Sequence, residues 1–182
     1  MSAFEFLFSF YGLLLGLAMT VVLSGFSRAL NERKRRPIGF LTPLLAVYLT
    51  LDLMTFWAGA WIDFREVEFS ARFLLLASLA PMLYYLAATQ VFPEAGMDLE
   101  TLDEHFFEHR AWVVGGVVLS NFVSFLPVLA EPNVPARLGM TMATLAPLVI
   151  SLFLKNRWIV SALMAAQVAY ALAILLVLLD LL

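Results

Sequence analysis

The sequence contains no cysteine, only two histidines and few charged residues. Of its 182 residues, 14% are charged and 63% are hydrophobic, whereas soluble domains are about 25% charged and about 45–50% apolar. Without cysteine, the chain cannot form disulfides, thiolate nucleophiles or cysteine-based metal and iron–sulfur sites. A soluble fold of this length could not cover so much apolar surface with so few charges, and disorder requires a more polar chain. The composition therefore indicates an integral membrane protein.

Several functional sequence patterns are also missing. The formal net charge of −3 gives no electrostatic reason to expect a nucleic-acid partner. The sequence has no Walker or dinucleotide-binding glycine pattern, no TVGYG-type filter and no helix with arginine at every third position. These absences argue against nucleotide-binding proteins, potassium channels and voltage sensors.

Long apolar runs are abundant in the sequence. A helix needs about 20 mainly apolar residues to cross a hydrocarbon core of about 30 Å. The sequence predicts six transmembrane helices, at residues 6–26, 38–62, 73–92, 111–130, 138–154 and 158–179. The fifth run is the shortest, so five spans is the alternative. Because the runs use nearly the whole chain, we expect residues 1–182 to form a single integral membrane domain, an all-α polytopic bundle.

Lysine and arginine positions predict the orientation of the helices, because positively charged short loops stay in the cytoplasm. With the first loop inside, the inner side holds eight of the eleven basic residues: Arg28, Arg33, Lys34, Arg35, Arg36, Arg110, Lys155 and Arg157. Both termini then lie outside, which suits a bacterial inner membrane. The first apolar run has no basic segment before it, so it is predicted to be an uncleaved span.

Small residues recur at four-residue steps in three of the predicted helices. The first helix carries Gly12, Gly16, Thr20 and Ser24, the fourth carries Gly116, Ser120 and Ser124, and the sixth carries Ser161, Ala165, Ala169 and Ala173. Such stripes let helices approach closely in lipid, where the hydrophobic effect between helices is nearly absent. The stripe on the first helix predicts either packing inside the bundle or an interface in a homo-oligomer.

Three predicted helices carry a strongly polar residue near their centre, namely Asp52, Asn121 and Gln167. An ionised carboxylate at this depth costs several kcal/mol and normally faces the bundle interior or a water-filled cavity. Tyr48 and Thr55 share the helix face of Asp52, and Tyr170 follows Gln167 at i+3. We therefore predict a polar cluster at half depth.

Asp52 has two interpretations. In one it is the ion or proton site of a conduit, and in the other it is a hydrogen-bonded group that fixes helix register. No lysine, arginine or histidine lies within a predicted span, which excludes a retinal Schiff base and a bis-histidine haem. The nearest candidate partner is Arg72, at the start of the third span, so a protonatable carboxyl is favoured over a permanent ion pair.

The acidic loop at residues 93–110 is the longest polar segment. It holds six acids: Glu94, Asp98, Glu100, Asp103, Glu104 and Glu108. Asp98 is a suitable cap for a helix with apolar Leu99, Leu102 and Phe106 on one face. We predict an amphipathic helix on the inner membrane surface, where its acids pair with the basic residues at 33–36.

The same loop contains His105, Glu108 and His109 in an H-x-x-E-H pattern. Two histidines one turn apart are suitable zinc ligands, and this pattern occurs in metalloproteases. No soluble domain surrounds it, and any third ligand would have to be a nearby acid such as Asp98, Asp103 or Glu104. The sequence therefore predicts a solvated interfacial helix without a cofactor, with a bound divalent metal as the alternative.

The predicted function is an oligomeric channel or transporter with its polar site around Asp52. The alternative is a non-catalytic scaffold, sensor or accessory subunit that acts through its helix surfaces and the acidic loop. An enzyme is not expected, because both histidines lie outside the spans and no nucleophile–base pair is evident. The predicted partners are the lipid bilayer and further copies of the chain, with no nucleic acid.

Overall fold

A computed structural model describes residues 3–35, 37–64, 70–93, 101–129 and 134–179. The described residues form six α-helices and contain no strand: α1 (Ala3–Glu32), α2 (Leu41–Asp63), α3 (Ala71–Thr89), α4 (Leu102–Val123), α5 (Val134–Ile150) and α6 (Arg157–Leu179). A short 3-10 helix, Leu126–Val128, follows α4. The all-α bundle predicted from the sequence is confirmed.

Five of these helices are long and apolar enough to cross a membrane, and α5 is shorter. At about 1.5 Å per residue, the 17 residues of α5 extend about 25 Å, less than the hydrocarbon core. The fifth predicted span is therefore the short helix of the bundle, and it begins and ends four residues earlier than predicted.

The six helices form a closed ring. Its order is α1, α3, α4, α5, α6 and α2, and α2 also contacts α4 across the middle. One hydrophobic core includes buried side chains from all six helices. Large apolar side chains such as Leu13, Leu75, Trp112 and Leu176 cover the outside, as expected for a bundle surrounded by lipid.

The acidic loop differs from the prediction. Residues 102–110 are the first turns of α4 rather than a separate interfacial helix, because Leu102 and Phe106 are buried in the bundle core. The N-cap is Thr101, whose hydroxyl accepts a hydrogen bond from the Glu104 amide at 3.4 Å. Residues 94–100, including the predicted cap Asp98, lie outside the described residues.

The start of α4 is attached to the connection between α1 and α2. The Asp103 carboxylate accepts hydrogen bonds from the backbone amides of Leu41 at 2.9 Å and Phe40 at 3.4 Å. Asp103 therefore caps the N-terminus of α2, where a negative charge is favourable. The predicted pairing with residues 33–36 stays a prediction: Arg33, Lys34 and Arg35 are exposed and form no ion pair with a described residue, and Arg36 lies outside the described part.

Side-chain contacts show which helix ends lie on the same side. Asp103 links the start of α4 to the start of α2. Arg110 donates to the carbonyl oxygens of Ser151 at 2.6 Å and Leu154 at 2.7 Å, just after α5. At the opposite end of the bundle, Arg137 pairs with Asp63. The helices therefore alternate in direction as predicted, while the absolute orientation stays a prediction.

The small-residue stripes divide into two kinds. On α1, Gly16, Thr20 and Ser24 are exposed and Gly12 is half-buried beside Trp57. On α6, Ala165, Ala169 and Ala173 are also exposed. These two stripes do not pack inside the bundle, because other faces of α1 and α6 carry the buried residues. An interface between copies stays a prediction for them.

The stripe on α4 does pack inside the bundle. Ser120 is buried, and its hydroxyl donates to the Ala80 carbonyl at 2.7 Å. A Cβ added to Gly116 would lie 2.7 Å from the Cβ of Ala87, closer than real Cβ atoms approach. This close contact of α3 and α4 positions the polar residues further along both helices.

Candidate functional site

Asp52 lies in the middle of α2 and faces the bundle interior, with 6% of its surface exposed. The Tyr84 hydroxyl of α3 donates to Asp52 Oδ2 at 3.0 Å, and the Asn121 amide of α4 donates to the same oxygen at 3.5 Å. Three helices therefore meet at this carboxyl. The structure brings Asp52 and Asn121 together, as the sequence predicted.

Thr55 is close to Asp52 but does not bind its carboxyl. The Thr55 hydroxyl donates to the Asp52 backbone carbonyl at 2.7 Å, within the same helix. Such bonds to the preceding turn are common for threonine in membrane helices. Thr55 lines the same cavity as Asp52, so it contributes to the site as a wall residue.

Tyr48 and Gln167 form a second layer, deeper than Asp52. The Tyr48 hydroxyl faces Asp52 and Gln167, yet it is buried without a hydrogen bond to any described residue. The Gln167 amide donates to the Thr144 carbonyl at 2.6 Å. Thr144 lies in the turn before Pro147, where the missing proline N–H weakens the helix. Gln167 therefore links α6 to the turn of α5 that precedes Pro147.

Tyr170 does not belong to the cluster. It is 44% exposed on the outside of α6, because Ala171, at i+4 from Gln167, occupies the inward position instead. The prediction for Tyr170 was wrong because the residues three and four positions after Gln167 point in different directions around the helix. The sequence alone does not show which of the two faces inward.

A cavity of about 310 Å³ extends from Asp52. On α2 it is lined by Asp52, Thr55, Phe56, Gly59, Ala60 and Asp63. Other polar lining residues are Tyr11, Asn121, Ser124, Arg137, Thr141 and Thr144. From Asp52 to Asp63 the helix rises about 16 Å, about half of the hydrocarbon core. The cavity therefore has a length equal to about half of a hydrocarbon core, and Asp52 is its lining residue of α2 farthest from Asp63.

An ion pair lies at the opposite end of this cavity. The Arg137 guanidinium of α5 binds the Asp63 carboxylate with two hydrogen bonds, at 2.9 Å and 2.5 Å. This bidentate geometry is the strongest form of arginine–carboxylate contact. The same guanidinium lies over the Phe125 ring, 5.7 Å from its centre. Arg137 and Asp63 thus join α5 to α2 at the helix ends that border water.

The charges in the cavity do not balance. Its described lining contains two acids and one base, and the single base is engaged with Asp63. Arg72, the candidate partner of Asp52 named from the sequence, is exposed at the start of α3. Asp52 therefore faces the cavity without a cationic side chain among the described residues, and only hydrogen-bond donors stabilise it.

The sequence analysis missed three residues of this site. Tyr84 and Tyr11 lie within apolar runs, and their positions in the sequence do not relate them to Asp52. Arg137 carried a usable signal, because the predicted spans 38–62 and 138–154 place Asp63 and Arg137 at helix ends on the same membrane side. Opposite charges at two helix ends on one side are good candidates for an ion pair.

Both histidines of the H-x-x-E-H pattern in α4 make contacts within the bundle. His105 Nε2 lies 3.1 Å from the Gln90 carbonyl, and the His105 and His109 rings stack at 4.0 Å. His109 Nδ1 lies 3.3 Å from the His105 carbonyl, and Glu108 is exposed. The described part of the chain contains no group of three histidines or acids that could hold a metal, and Asp98 lies outside it. A divalent metal held by His105, Glu108 and His109 therefore stays a prediction without support from the described residues.

No protein-family model matches the chain, and neither a curated protein nor a solved structure shows significant similarity to it.

Proposed function

We propose that this integral membrane protein is a carrier for a small solute, which binds in the cavity between Asp52 and the Asp63–Arg137 pair. The main observation in support is the buried Asp52 carboxyl, which has no basic partner among the described residues and lies at the inner end of a cavity about as long as half a hydrocarbon core. Intramembrane acids in such positions typically mark ion or substrate sites.

A carrier fits the cavity better than an open channel does. All cavity-lining residues of α2 lie between Asp52 and Asp63, in the C-terminal half of the helix. In the other half, Leu41, Leu45 and Leu49 are packed in the hydrophobic core. A site open to one side only is what alternating access requires, since the two ends of the path are never open together.

The short helix α5 is the element best suited to move. Its Arg137, Thr141 and Thr144 line the cavity, while only Val134, Leu145 and Leu148 are buried among its residues. Pro147 weakens its backbone. Polar side chains hold it at three points: Arg137 near its start, Gln167 in the middle and Arg110 at its end. We therefore propose that α5 moves and that this movement lets the solute enter and leave the cavity.

The cavity lies within one chain, so transport does not need a pore on a symmetry axis. Oligomerisation stays a prediction that is independent of the carrier proposal. The alternative of a scaffold, sensor or accessory subunit has less support. The Asp103 carboxylate of the acidic loop, which would contact a partner, is already bound to the start of α2.

Electrical recording from reconstituted protein tests this proposal. Proteoliposomes on a solid-supported membrane would be given gradients of a panel of small cations, zwitterions, anions and neutral solutes. We expect at least one solute to produce a transient current with the wild-type protein and none with Asp52→Asn. The matched control is Glu108→Gln, which neutralises an exposed acid outside the cavity and should keep the current. A full current in Asp52→Asn, or no response to any solute, would reject the carrier.

A further inference from the structure

We infer that the occupant of this cavity is a small organic cation, such as an alkylammonium ion, bound between the Asp52 carboxyl and aromatic rings. This inference rests on the proposed function, because it names the class of solute for the same site. It depends on the chemistry of the lining, the size of the cavity and the open space beside Gly59.

The cavity lining contains four aromatic rings and one acid, Asp52, that is not paired with the lining's basic residue. Tyr11, Phe56, Phe64 and Phe125 all line it. The faces of aromatic rings attract cations, and alkylammonium ions are bound in proteins by such rings together with a carboxylate. Phe56 lies one helical turn beyond Asp52, so a ring and the carboxyl are presented to the cavity by the same face of α2.

One ring in this cavity already holds an organic cation. The Arg137 guanidinium lies over Phe125, 5.7 Å from the ring centre, while its hydrogen bonds go to Asp63. A carboxylate and an aromatic ring therefore bind a nitrogen cation together at the mouth of the cavity. Asp52 and Phe56 provide the same pair of groups at the closed end, where no basic side chain among the described residues occupies them.

A bare metal ion suits this site less well. Metal ions require several converging oxygen ligands, and the described residues contain no group of three acids or histidines. One Asp52 oxygen already accepts from Tyr84 and Asn121. An organic cation needs only one carboxylate contact, and its alkyl groups can be covered by the rings and by Met140, Ala171 and Ile174.

The volume of the cavity limits the size of the solute. About 310 Å³ is at the lower end of the range of about 300–1,000 Å³ found for ligand pockets. Gly59 lines the cavity, and a Cβ added to it would meet no atom within 4 Å. Glycine at this position therefore leaves room for the solute, and a side chain added there would extend from α2 into unfilled space.

Calorimetric titration of propylammonium chloride into the protein in lipid nanodiscs tests the inference. We expect saturable binding to the wild type that sodium and potassium chloride at equal ionic strength do not reproduce. Asp52→Asn should weaken binding by at least about tenfold, the loss expected when a charged partner is removed. Phe56→Leu should weaken it by about two- to fivefold, the contribution of one cation–π contact.

Two leucine substitutions provide a matched pair that does not alter charge. Gly59→Leu fills the cavity and should abolish binding. Gly115→Leu adds the same side chain on the exposed face of α4, where a Cβ also meets nothing within 4 Å, and should leave binding unchanged. Binding that survives in Asp52→Asn or in Gly59→Leu, or no saturable binding to the wild type, would overturn the inference.

The outcomes separate this inference from the carrier proposal. If propylammonium does not bind but another solute class gives currents that depend on Asp52, the solute class is wrong and the carrier stands. If propylammonium binds through Asp52 but no solute produces a current, the binding site stands and the carrier fails.

Discussion

Asp52 illustrates how single residues determine what this bundle can do. Its carboxyl receives two donors from neighbouring helices, Tyr84 and Asn121, and no basic side chain among the described residues. Burial of a charge without a counter-ion is costly unless hydrogen bonds compensate for it. The two donors hold the carboxyl in position, and the missing counter-ion leaves it available to a solute cation.

Gly39 is the residue on which the contact between the acidic loop and α2 depends. Its φ of +69° is in the left-handed region, and a Cβ there would overlap the Asp103 carboxylate. Gly39→Ala should therefore lower the free energy of unfolding by about 1–3 kcal/mol. Thermal unfolding of the detergent-solubilised protein would measure this loss.

Gly115→Ala is the control for the Gly39 substitution. Gly115 lies within α4, where a Cβ meets no neighbour, so alanine there should keep the melting temperature or raise it slightly. Equal melting temperatures for Gly39→Ala and Gly115→Ala would show that the Asp103 contact does not stabilise the fold.

At the scale of elements, α5 combines few buried apolar residues, namely Val134, Leu145 and Leu148, with polar contacts to three other helices. Arg137, Gln167 and Arg110 attach it to α2, α6 and α4 in turn. Helices with few buried apolar contacts open at lower free energy than the rest of a protein. This property is the reason why we propose that α5 moves during transport.

The Asp63–Arg137 pair should behave as a coupled unit. Asp63→Asn and Arg137→Gln each leave one charge without its partner, and each should lower the melting temperature. The double variant should recover part of that loss, with a coupling free energy of about 1 kcal/mol, because the pair is only partly buried. A double-mutant cycle by thermal unfolding measures it, and strictly additive effects would show that the two residues do not stabilise each other.

Some elements were predictable from the sequence, and others required the structure. Apolar runs specified the six helices because lipid demands long apolar segments. Because α1 is apolar on all sides, its sequence does not show which face points into the bundle. The exposure of Gly16, Thr20 and Ser24 could therefore not be predicted. The apolar face with Leu102 and Phe106 was visible in the sequence, but its packing in the bundle core as the start of α4 depends on neighbouring helices that the sequence does not show.

At the scale of the whole molecule, the ring order of the helices creates the site. Asp52 and Asn121 were found from the sequence because polar residues are rare in lipid-spanning segments. Tyr84, Arg137 and the cavity could not be found that way, since they depend on which helices become neighbours. That order is set by contacts between distant segments, such as Gly116 against Ala87.

The central claim is that water reaches toward Asp52 from one side of the membrane only. The chain has no cysteine, so single-cysteine variants can be labelled without background in sealed, oriented proteoliposomes. With a membrane-impermeant cationic methanethiosulfonate reagent, Gly59→Cys should react from the Asp63 side alone, and lipid-facing Gly115→Cys should not react from either side. Reaction of Gly59→Cys from both sides, or no faster than Gly115→Cys, would contradict the account.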